Sequence, residues 1–150
     1  MTDLITTDLV RLDADLGADK DATIHALAAV VGDAGRTSDV DRLAADALAR
    51  EAQSPTGLPG GIAIPHCRTE AVTEPTLAFA RLSPGVDFGA KDGAADLAFL
   101  IAAPADGSLH LRMLTQLARV LVTRDFPNVL REARTADTVV EAVLAKVRLD

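Results

Sequence analysis

The hydrophobic positions in the first third of the chain follow a helical period. A run of them recurs every three or four residues, at Ile24, Leu27, Ala28 and Val31. This spacing places them on one face of a helix, and Asp19 is a residue type suited to cap its start. We therefore predict a helix from Asp19 to about Val31. Ahead of it, the short run Leu9–Leu12 is predicted to form a first strand.

A second helix is predicted shortly after the first. Ser38 with Asp41 resembles a capping box in which aspartate replaces the usual glutamate. The helix is expected to extend through about Glu51, because sequence rich in proline and glycine follows that point.

The period changes in the middle of the chain. Three short apolar runs are bounded by Gly, Pro or Asp and are predicted to be strands: Ile62–Ile64, Leu77–Leu82 and Leu97–Ala102. The last two have almost no polar alternation, which is typical of strands buried on both faces of a sheet. Asp92-Gly93 is a candidate turn between them.

Helical spacing returns in the last third of the chain. Ser108 is predicted to cap a helix that extends through Val122. Its apolar face is expected to contain Leu111, Leu114, Leu117, Ala118 and Leu121. A short helix is predicted at Phe126–Glu132, and Thr135 is predicted to cap a final helix that ends at about Val147.

The order of these elements predicts an α/β fold. Helices, then strands, then helices around one sheet indicate a mixed β-sheet flanked by helices in a sandwich. The 150 residues are the size of one domain and contain no long linker and no internal repeat. We therefore predict a single domain over residues 1–150, with its core at about residues 9–147.

Composition narrows the classes of function. With no Trp, no Tyr and four Phe, the core must be largely aliphatic. The formal net charge is −7 and Lys and Arg are not clustered, which argues against a nucleic acid partner. The single cysteine fits a reducing compartment. Without a signal peptide at the N-terminus or an apolar run near the roughly 18 residues of a membrane span, the chain is expected to be soluble and cytoplasmic.

The most informative segment is the decapeptide Gly57–His66. It is expected to place His66 at the end of a short strand that follows a glycine-rich turn, where backbone amides can meet an anion. Neutral imidazole is a competent nucleophile, because its unperturbed pKa is about 6.5. The alternative is a strand-end histidine that only hydrogen-bonds a loop, which is the commoner role for a single histidine.

A second histidine and an arginine strengthen this interpretation. His110 lies in the first turn of a predicted helix, where the positive end of the dipole disfavours its protonated form, and it can hydrogen-bond His66 or a bound phosphate. Arg50 can bind a phosphate bidentately, or interact only with the C-terminus of its helix. Thr56 and Gly57 can offer a hydroxyl and an amide to the same anion, or form a simple turn. Together these residues indicate phosphoryl transfer through histidine.

The remaining candidate groups are given lesser roles. Cys67 and His66 point to opposite faces of an extended segment, so they are not expected to pair, and Cys67 is predicted to be a small filler. A metal site needs three or four ligands, and only His66, His110 and distant carboxylates are available, so no metal is predicted. His25 is predicted to lie on the surface.

The motifs also carry a family resemblance. The residues concerned are Arg50-Glu51, Thr56-Gly57, Gly61-Ile62-Ala63-Ile64-Pro65-His66, Phe88, Asp92-Gly93, Phe99–Pro104, His110-Leu111, Leu114, Leu117 and Ala118. In this order they resemble the fructose/mannitol class of enzyme IIA (EIIA type 2), a component of the bacterial phosphoenolpyruvate-dependent sugar phosphotransferase system. The likeness extends from about Leu9 to Val147. One departure is Cys67, where many members have glycine.

The resemblance implies roles for individual residues. It makes His66 the phosphorylated residue, His110 the second active-site histidine that supports the phosphoryl group by hydrogen bonding, and Arg50 a source of positive charge. It implies a relay in which His66 takes phosphate from the small carrier protein HPr and passes it to a cysteine of a cognate IIB domain. No metal or organic cofactor is required, and a membrane is involved only through the IIC component.

Three functions follow from these observations. The first is fructose-type sugar uptake, favoured because Phe99–Pro104 looks more like the fructose type. The second is a nitrogen-related regulatory IIA protein that acts by phosphorylation-dependent protein binding. The third is an interaction domain that keeps the fold without phosphorylation. The presence of His66, His110 and Arg50 argues against this third function.

The chain ends at Asp150 without a IIB-like segment, so it is expected to be a free-standing IIA or a domain from a IIA-IIB-IIC chain. The sequence does not identify the sugar.

Overall fold

The computed structural model describes residues 3–148, so residues 1–2 and 149–150 of the predicted domain lie outside the described part of the chain. The strands are β1 (Val10–Ala14), β2 (Gly57–Leu58), β3 (Ile62–Ala63), β4 (His66–Thr69), β5 (Thr76–Val86) and β6 (Ala95–Pro104). The helices are α1 (Lys20–Asp33), α2 (Val40–Gln53), α3 (Leu109–Leu121), α4 (Asp125–Glu132) and α5 (Ala136–Lys146). A 3-10 turn, Thr7–Leu9, precedes β1.

The strands form one mixed sheet in the order β1-β5-β6-β3-β2, and β4 pairs with β6 beyond β3. The β1/β5, β3/β6 and β4/β6 pairs are parallel, whereas the β5/β6 and β2/β3 pairs are antiparallel. Parallel pairs require crossover connections, which α1 and α2 help to supply here. The predicted α/β fold with a mixed sheet is confirmed.

Helices cover both faces of the sheet. Helices α1 and α2 pack together and against β5 and β4, whereas α3, α4 and α5 pack together and against β6 and β1. Seven consecutive residues of β6, Leu97–Ala103, are buried, so the strand is shielded on both faces. At the centre, the cross-strand pair Phe79 and Phe99 has ring centroids 4.8 Å apart. The predicted sandwich is therefore the one observed.

A proline separates β3 from the strand that begins at His66. Pro65 has no N–H, and the preceding Ile64 amide donates out of the β6 ladder to the carbonyl of Thr56, at 3.2 Å. Pairing with β6 resumes when the Ile101 amide donates to the Pro65 carbonyl, at 2.9 Å. His66 therefore begins a separate strand, β4, and does not end the predicted strand Ile62–Ile64.

Three of the four predicted N-cap residues occupy the N-cap position, and two of those three make the side-chain capping bond. The Asp19 side chain accepts a hydrogen bond from the Ala22 amide, and Thr135 accepts one from the Thr138 amide, as predicted. The predicted Ser38 cap is wrong, because Asp39 occupies the N-cap position of α2 and accepts from the amide three residues later. Ser108 is at the N-cap position of α3 but makes no side-chain capping bond.

The buried face of α3 also differs from the predicted one. Met113, Leu117 and Leu121 are buried, which is a stripe at every fourth residue. Leu111 lies off this stripe and is 64% exposed, so its predicted place in the core is wrong. None of the helices in residues 3–148 combines the length and apolar character needed to cross a membrane.

Candidate functional site

The predicted histidine pair is brought together by β6. His66 is the first residue of β4, which lies along the edge of β6, and His110 is the second residue of α3, which follows the end of β6. The two ring centroids are 5.2 Å apart and the ring planes are tilted by 36°. The fold therefore makes one site from two distant parts of the sequence.

The hydrogen bond of His66 identifies its tautomer. Its Nδ1 lies 2.6 Å from the carbonyl oxygen of Ile64, and a carbonyl can only accept, so Nδ1 carries the proton and donates it. In the neutral ring the lone pair is then on Nε2, which has no hydrogen-bond partner among residues 3–148. His66 is only 4% exposed, so its neighbours cover almost all of the residue.

Both imidazoles are held in the neutral form. Burial lowers the pKa of His66 below the ordinary value of 6.5, and the charge of Arg50 lowers it further, while the Ile64 hydrogen bond and Glu51 act in the opposite direction. Burial is also the largest cause of the lowered pKa of His110, and electrostatic interactions with His66, Arg68 and Arg50 lower it further. The sequence predicted a neutral His110 from the helix dipole, whereas burial and nearby cations are the causes found here.

His110 presents an unused ring nitrogen. Its Nε2 is buried, and it is the one buried side-chain nitrogen or oxygen in the described part of the chain without a hydrogen-bond partner. Such an atom normally has a partner. The role that the sequence predicted for His110, a hydrogen bond to a phosphoryl group on His66, stays a prediction.

Arg50 shows the second of the two roles considered for it, and its role as a phosphate ligand stays a prediction. Its guanidinium donates to the Ser54 carbonyl at 3.0 Å, just beyond the C-terminus of α2, so it stabilises the end of that helix. Its positive charge also lowers the pKa of both His66 and His110, which places it within electrostatic range of the pair. Arg50 is therefore a partly fixed cation beside the site.

Arg68 is a second cation that the sequence reasoning missed. It lies two residues after His66 in β4, so both side chains are on the same face of that strand. Arg68 is exposed, it lowers the pKa of His110, and it makes no hydrogen bond or ion pair within residues 3–148. The period of two in an extended segment was the signal that could have identified it.

Thr56 and Gly57 do not present the donors predicted for them. The Thr56 amide and hydroxyl donate to the two carboxylate oxygens of Glu51, at 2.8 and 2.5 Å. The Gly57 amide donates to the Phe88 carbonyl at 3.1 Å, and a Cβ at Gly57 would lie 2.8 Å from that oxygen. Their prediction as phosphate ligands is therefore corrected, because these donors are already used to build the turn.

The other side chains considered in the sequence keep minor roles. Cys67 is 4% exposed, and burial, with a contribution from Asp46, raises the pKa of its thiol to about 12, which suits a packed filler and not a nucleophile. His25 is exposed on α1, as predicted. Over residues 3–148, no three His, Cys, Asp or Glu side chains are grouped so that they would hold a metal ion.

Comparison with known proteins shows the family to which the chain belongs. Residues 3–146 match the family model described as "Phosphoenolpyruvate-dependent sugar phosphotransferase system, EIIA 2". A fructose-specific EIIA component from Haloferax volcanii is 43% identical over 132 residues, which cover 87% of this chain and 85% of that protein. A nitrogen regulatory protein from Pseudomonas aeruginosa is 35% identical over 130 residues, which cover 85% of this chain and 84% of the relative.

A solved structure has the same fold. The crystal structure of nitrogen regulatory protein IIA-Ntr from Neisseria meningitidis superimposes with a TM-score of 0.83 and 27% sequence identity. The match covers 93% of this chain and 96% of that one. The likeness thus includes both the transport and the regulatory branches considered from the sequence.

Proposed function

The chain belongs to the EIIA 2 family of the phosphoenolpyruvate-dependent sugar phosphotransferase system, and from that premise we propose that it carries a phosphoryl group on Nε2 of His66. The observation that carries this proposal is the contact of two neutral imidazoles with centroids 5.2 Å apart. The nucleophilic nitrogen of one ring is free, and the second ring has a buried nitrogen without a partner.

The transfer is a displacement at phosphorus. The Nε2 lone pair of His66 attacks the phosphoryl group of a phosphohistidine on an HPr-type carrier, the new P–N bond forms, and the carrier's P–N bond breaks. The electron pair of the broken bond returns to the carrier imidazole. The phosphorylated His66 ring keeps its proton on Nδ1 and becomes cationic, and the Ile64 carbonyl accepts that stronger donor.

The surrounding side chains stabilise the phosphoryl group in transit. Such a transfer depends on in-line geometry and on charge stabilisation more than on acid–base chemistry. His110 supplies a hydrogen bond, and Arg50 and Arg68 supply positive charge. The second step passes the phosphoryl group to a cysteine thiolate of a IIB domain, with a P–S bond formed, the P–N bond broken and His66 returned to its neutral form.

The specific role proposed is fructose-type sugar uptake. The support is the fructose-specific EIIA relative at 43% identity, together with the fructose-like strand Phe99–Pro104. The second candidate is phosphorylation-dependent regulation, which the nitrogen regulatory relative and the IIA-Ntr structure favour. Transfer of labelled phosphate from this protein to a membrane-bound IIB would support uptake, whereas failure with every IIB of the host would support regulation.

The test of phosphorylation is incubation with phosphoenolpyruvate, enzyme I and HPr, followed by intact mass measurement. We expect the mass to increase by one phosphoryl group, with the adduct lost in acid and absent from His66→Ala. An adduct that survives acid, or one retained in His66→Ala, would overturn the assignment.

A further inference from the structure

A buried glutamate lies within electrostatic range of His66. Glu51 is 3% exposed in the last turn of α2, and its two carboxylate oxygens accept the hydroxyl and the amide of Thr56. The nearest cation is the ammonium of Lys20 on α1, at 3.8 Å. A buried carboxylate is costly unless its oxygens are hydrogen-bonded, and here both are.

The same turn continues to His66 through backbone groups. The Thr56 carbonyl accepts the Ile64 amide at 3.2 Å, and the Ile64 carbonyl accepts the Nδ1–H of His66 at 2.6 Å. A continuous series of hydrogen bonds therefore joins the Glu51 carboxylate to the reactive imidazole. Each link fixes the position of the next acceptor.

We propose that Glu51 is a positioning residue that, through Thr56 and Ile64, holds His66 in the Nδ1–H tautomer with Nε2 facing the incoming phosphoryl group. The hydrogen bond at one ring nitrogen decides which nitrogen bears the proton. If the Ile64 carbonyl moves away, the proton can occupy Nε2 and block the nucleophile. The tautomer part of this inference stands on geometry alone, and its kinetic consequence rests on the proposed function.

Glutamate suits this role better than its amide. A carboxylate is an acceptor at both oxygens, so it can receive the Thr56 amide and hydroxyl together. Glutamine has only one acceptor oxygen, and its NH2 group would face a donor. Glu51→Gln is nearly isosteric and therefore weakens the first link while it preserves the packing of α2.

The effect of the Glu51 charge must be separated from its effect on the position of the Ile64 carbonyl, because several ionisable groups face His66. Arg50 and Glu51 approach from α2, and His110 approaches from α3. Arg68, on the same strand, acts on His110. Glu51→Gln removes a negative charge as well as an acceptor, whereas Thr56→Val keeps the Glu51 charge and removes only the hydroxyl link.

The experiment combines nitrogen-15 NMR of the histidine rings with rapid-quench measurement of phosphorylation by phospho-HPr. In the wild type at neutral pH, the His66 signals should report a proton on Nδ1 and none on Nε2. In Glu51→Gln we expect a mixture of tautomers and a fall in the phosphorylation rate of about tenfold to a hundredfold. Thr56→Val should change both readouts in the same direction but less. The matched control is Glu141→Gln, an exposed position on α5 with the same charge change.

Two results would overturn the inference. The first is the finding that His66 of the wild-type protein bears its proton on Nε2. This measurement does not depend on whether a variant folds. The second is a wild-type tautomer and rate in whichever of Glu51→Gln and Thr56→Val folds. A wild-type protein that shows the Nδ1–H tautomer but accepts no phosphate would defeat the proposed function and leave the positioning role of Glu51 intact.

Discussion

The ring centroids of His66 and His110 lie 5.2 Å apart, although one residue begins the edge strand β4 and the other lies in the first turn of α3, 44 residues later in the chain. Burial is the largest cause of the lowered pKa of each ring, which favours the neutral form of both near pH 7. Two neutral rings, one with a free nucleophile and one with a free partner atom, are suited to hold a transient phosphoryl group.

Replacement of His110 tests the supporting ring. In His110→Ala we expect onward transfer to a IIB thiol to slow by about a hundredfold, the scale seen when one stabilising hydrogen bond is removed. Some labelling of His66 should remain, because the nucleophile is intact. Rapid-quench assays with labelled phosphate measure both steps, and His25→Ala is the control because His25 is exposed on α1. Normal transfer by His110→Ala would refute its role.

The lowered pKa values predict the pH dependence of phosphorylation. Because the pKa of His66 lies below 6.5, its nucleophilic form persists as the pH falls through 6.5, and the rate should decline only at a lower pH. A pH–rate profile with phospho-HPr measures this midpoint. A midpoint at or above 6.5 would contradict the burial of the ring.

The same shifts predict a loss of stability in acid. Below pH 6.5 the unfolded chain protonates these two imidazoles while the folded chain does not, so the unfolded state binds more protons. The free energy of unfolding should therefore decrease as the pH falls from 6.5 toward the folded pKa values. Urea denaturation at several pH values tests this, and His110→Gln should show a weaker pH dependence than the wild type.

Arg68 should contribute charge to the transfer. Because it is exposed and unpaired within the described residues, Arg68→Gln should leave the fold intact and slow phosphorylation by phospho-HPr. We expect an effect of about tenfold or less at low salt that shrinks as salt is added, since exposed charges are screened. Arg134→Gln is the matched control, an exposed arginine in the connection between α4 and α5. Equal phosphorylation rates for the two variants would show that Arg68 does not contribute to the transfer.

Stability should depend on an arginine far from the site. The Arg81 guanidinium donates to the carbonyls of Leu130, Arg131 and Ala133 at the end of α4, at 2.7 to 3.0 Å. Arg81→Met leaves these acceptors without that donor, so we expect the free energy of unfolding to fall by about 1–3 kcal/mol. Urea denaturation measures the loss, and a change within error of the wild type would contradict this role.

Asp13, the acidic partner of Arg81, should matter less. The hydrogen bond from Arg81 holds the pKa of Asp13 below 3.8, so its contribution is present above that pH and is lost as the pH falls through the lowered value. Asp13 is exposed, so solvent screens the pair and Asp13→Asn should destabilise less than Arg81→Met. The two variants can be compared in the same urea titrations at pH 7.

The sequence predicted the main elements of this fold. Strands β5 and β6 were identifiable because an uninterrupted apolar run can be buried only in a sheet covered on both faces. The periodicity of α1 and its Asp19 cap are local features, set by residues that neighbour one another in the helix. One error occurred where two adjacent residues are both suited to cap a helix: Asp39, and not Ser38, occupies the N-cap position of α2.

The candidate site was predicted less completely. The motif identified His66, His110 and Arg50, but it assigned free donors to Thr56 and Gly57 because their acceptors are not visible in a linear sequence. Glu51 is near Thr56 in the chain, yet only the turn that follows α2 aims its carboxylate at both Thr56 donors. Whether a donor is available is a property of the folded environment.

The sequence alone determined which chemistry is available here: an aliphatic α/β core, two histidines and an arginine in a recognisable order. The tertiary structure decided which atoms can use that chemistry. Pairing along β6 set the distance between the rings, burial set their charge, and the Ile64 carbonyl selected the nitrogen that remains free. Periodicity and motifs arise from residues close in the chain, whereas distances, burial and hydrogen-bond partners arise only when distant segments pack together.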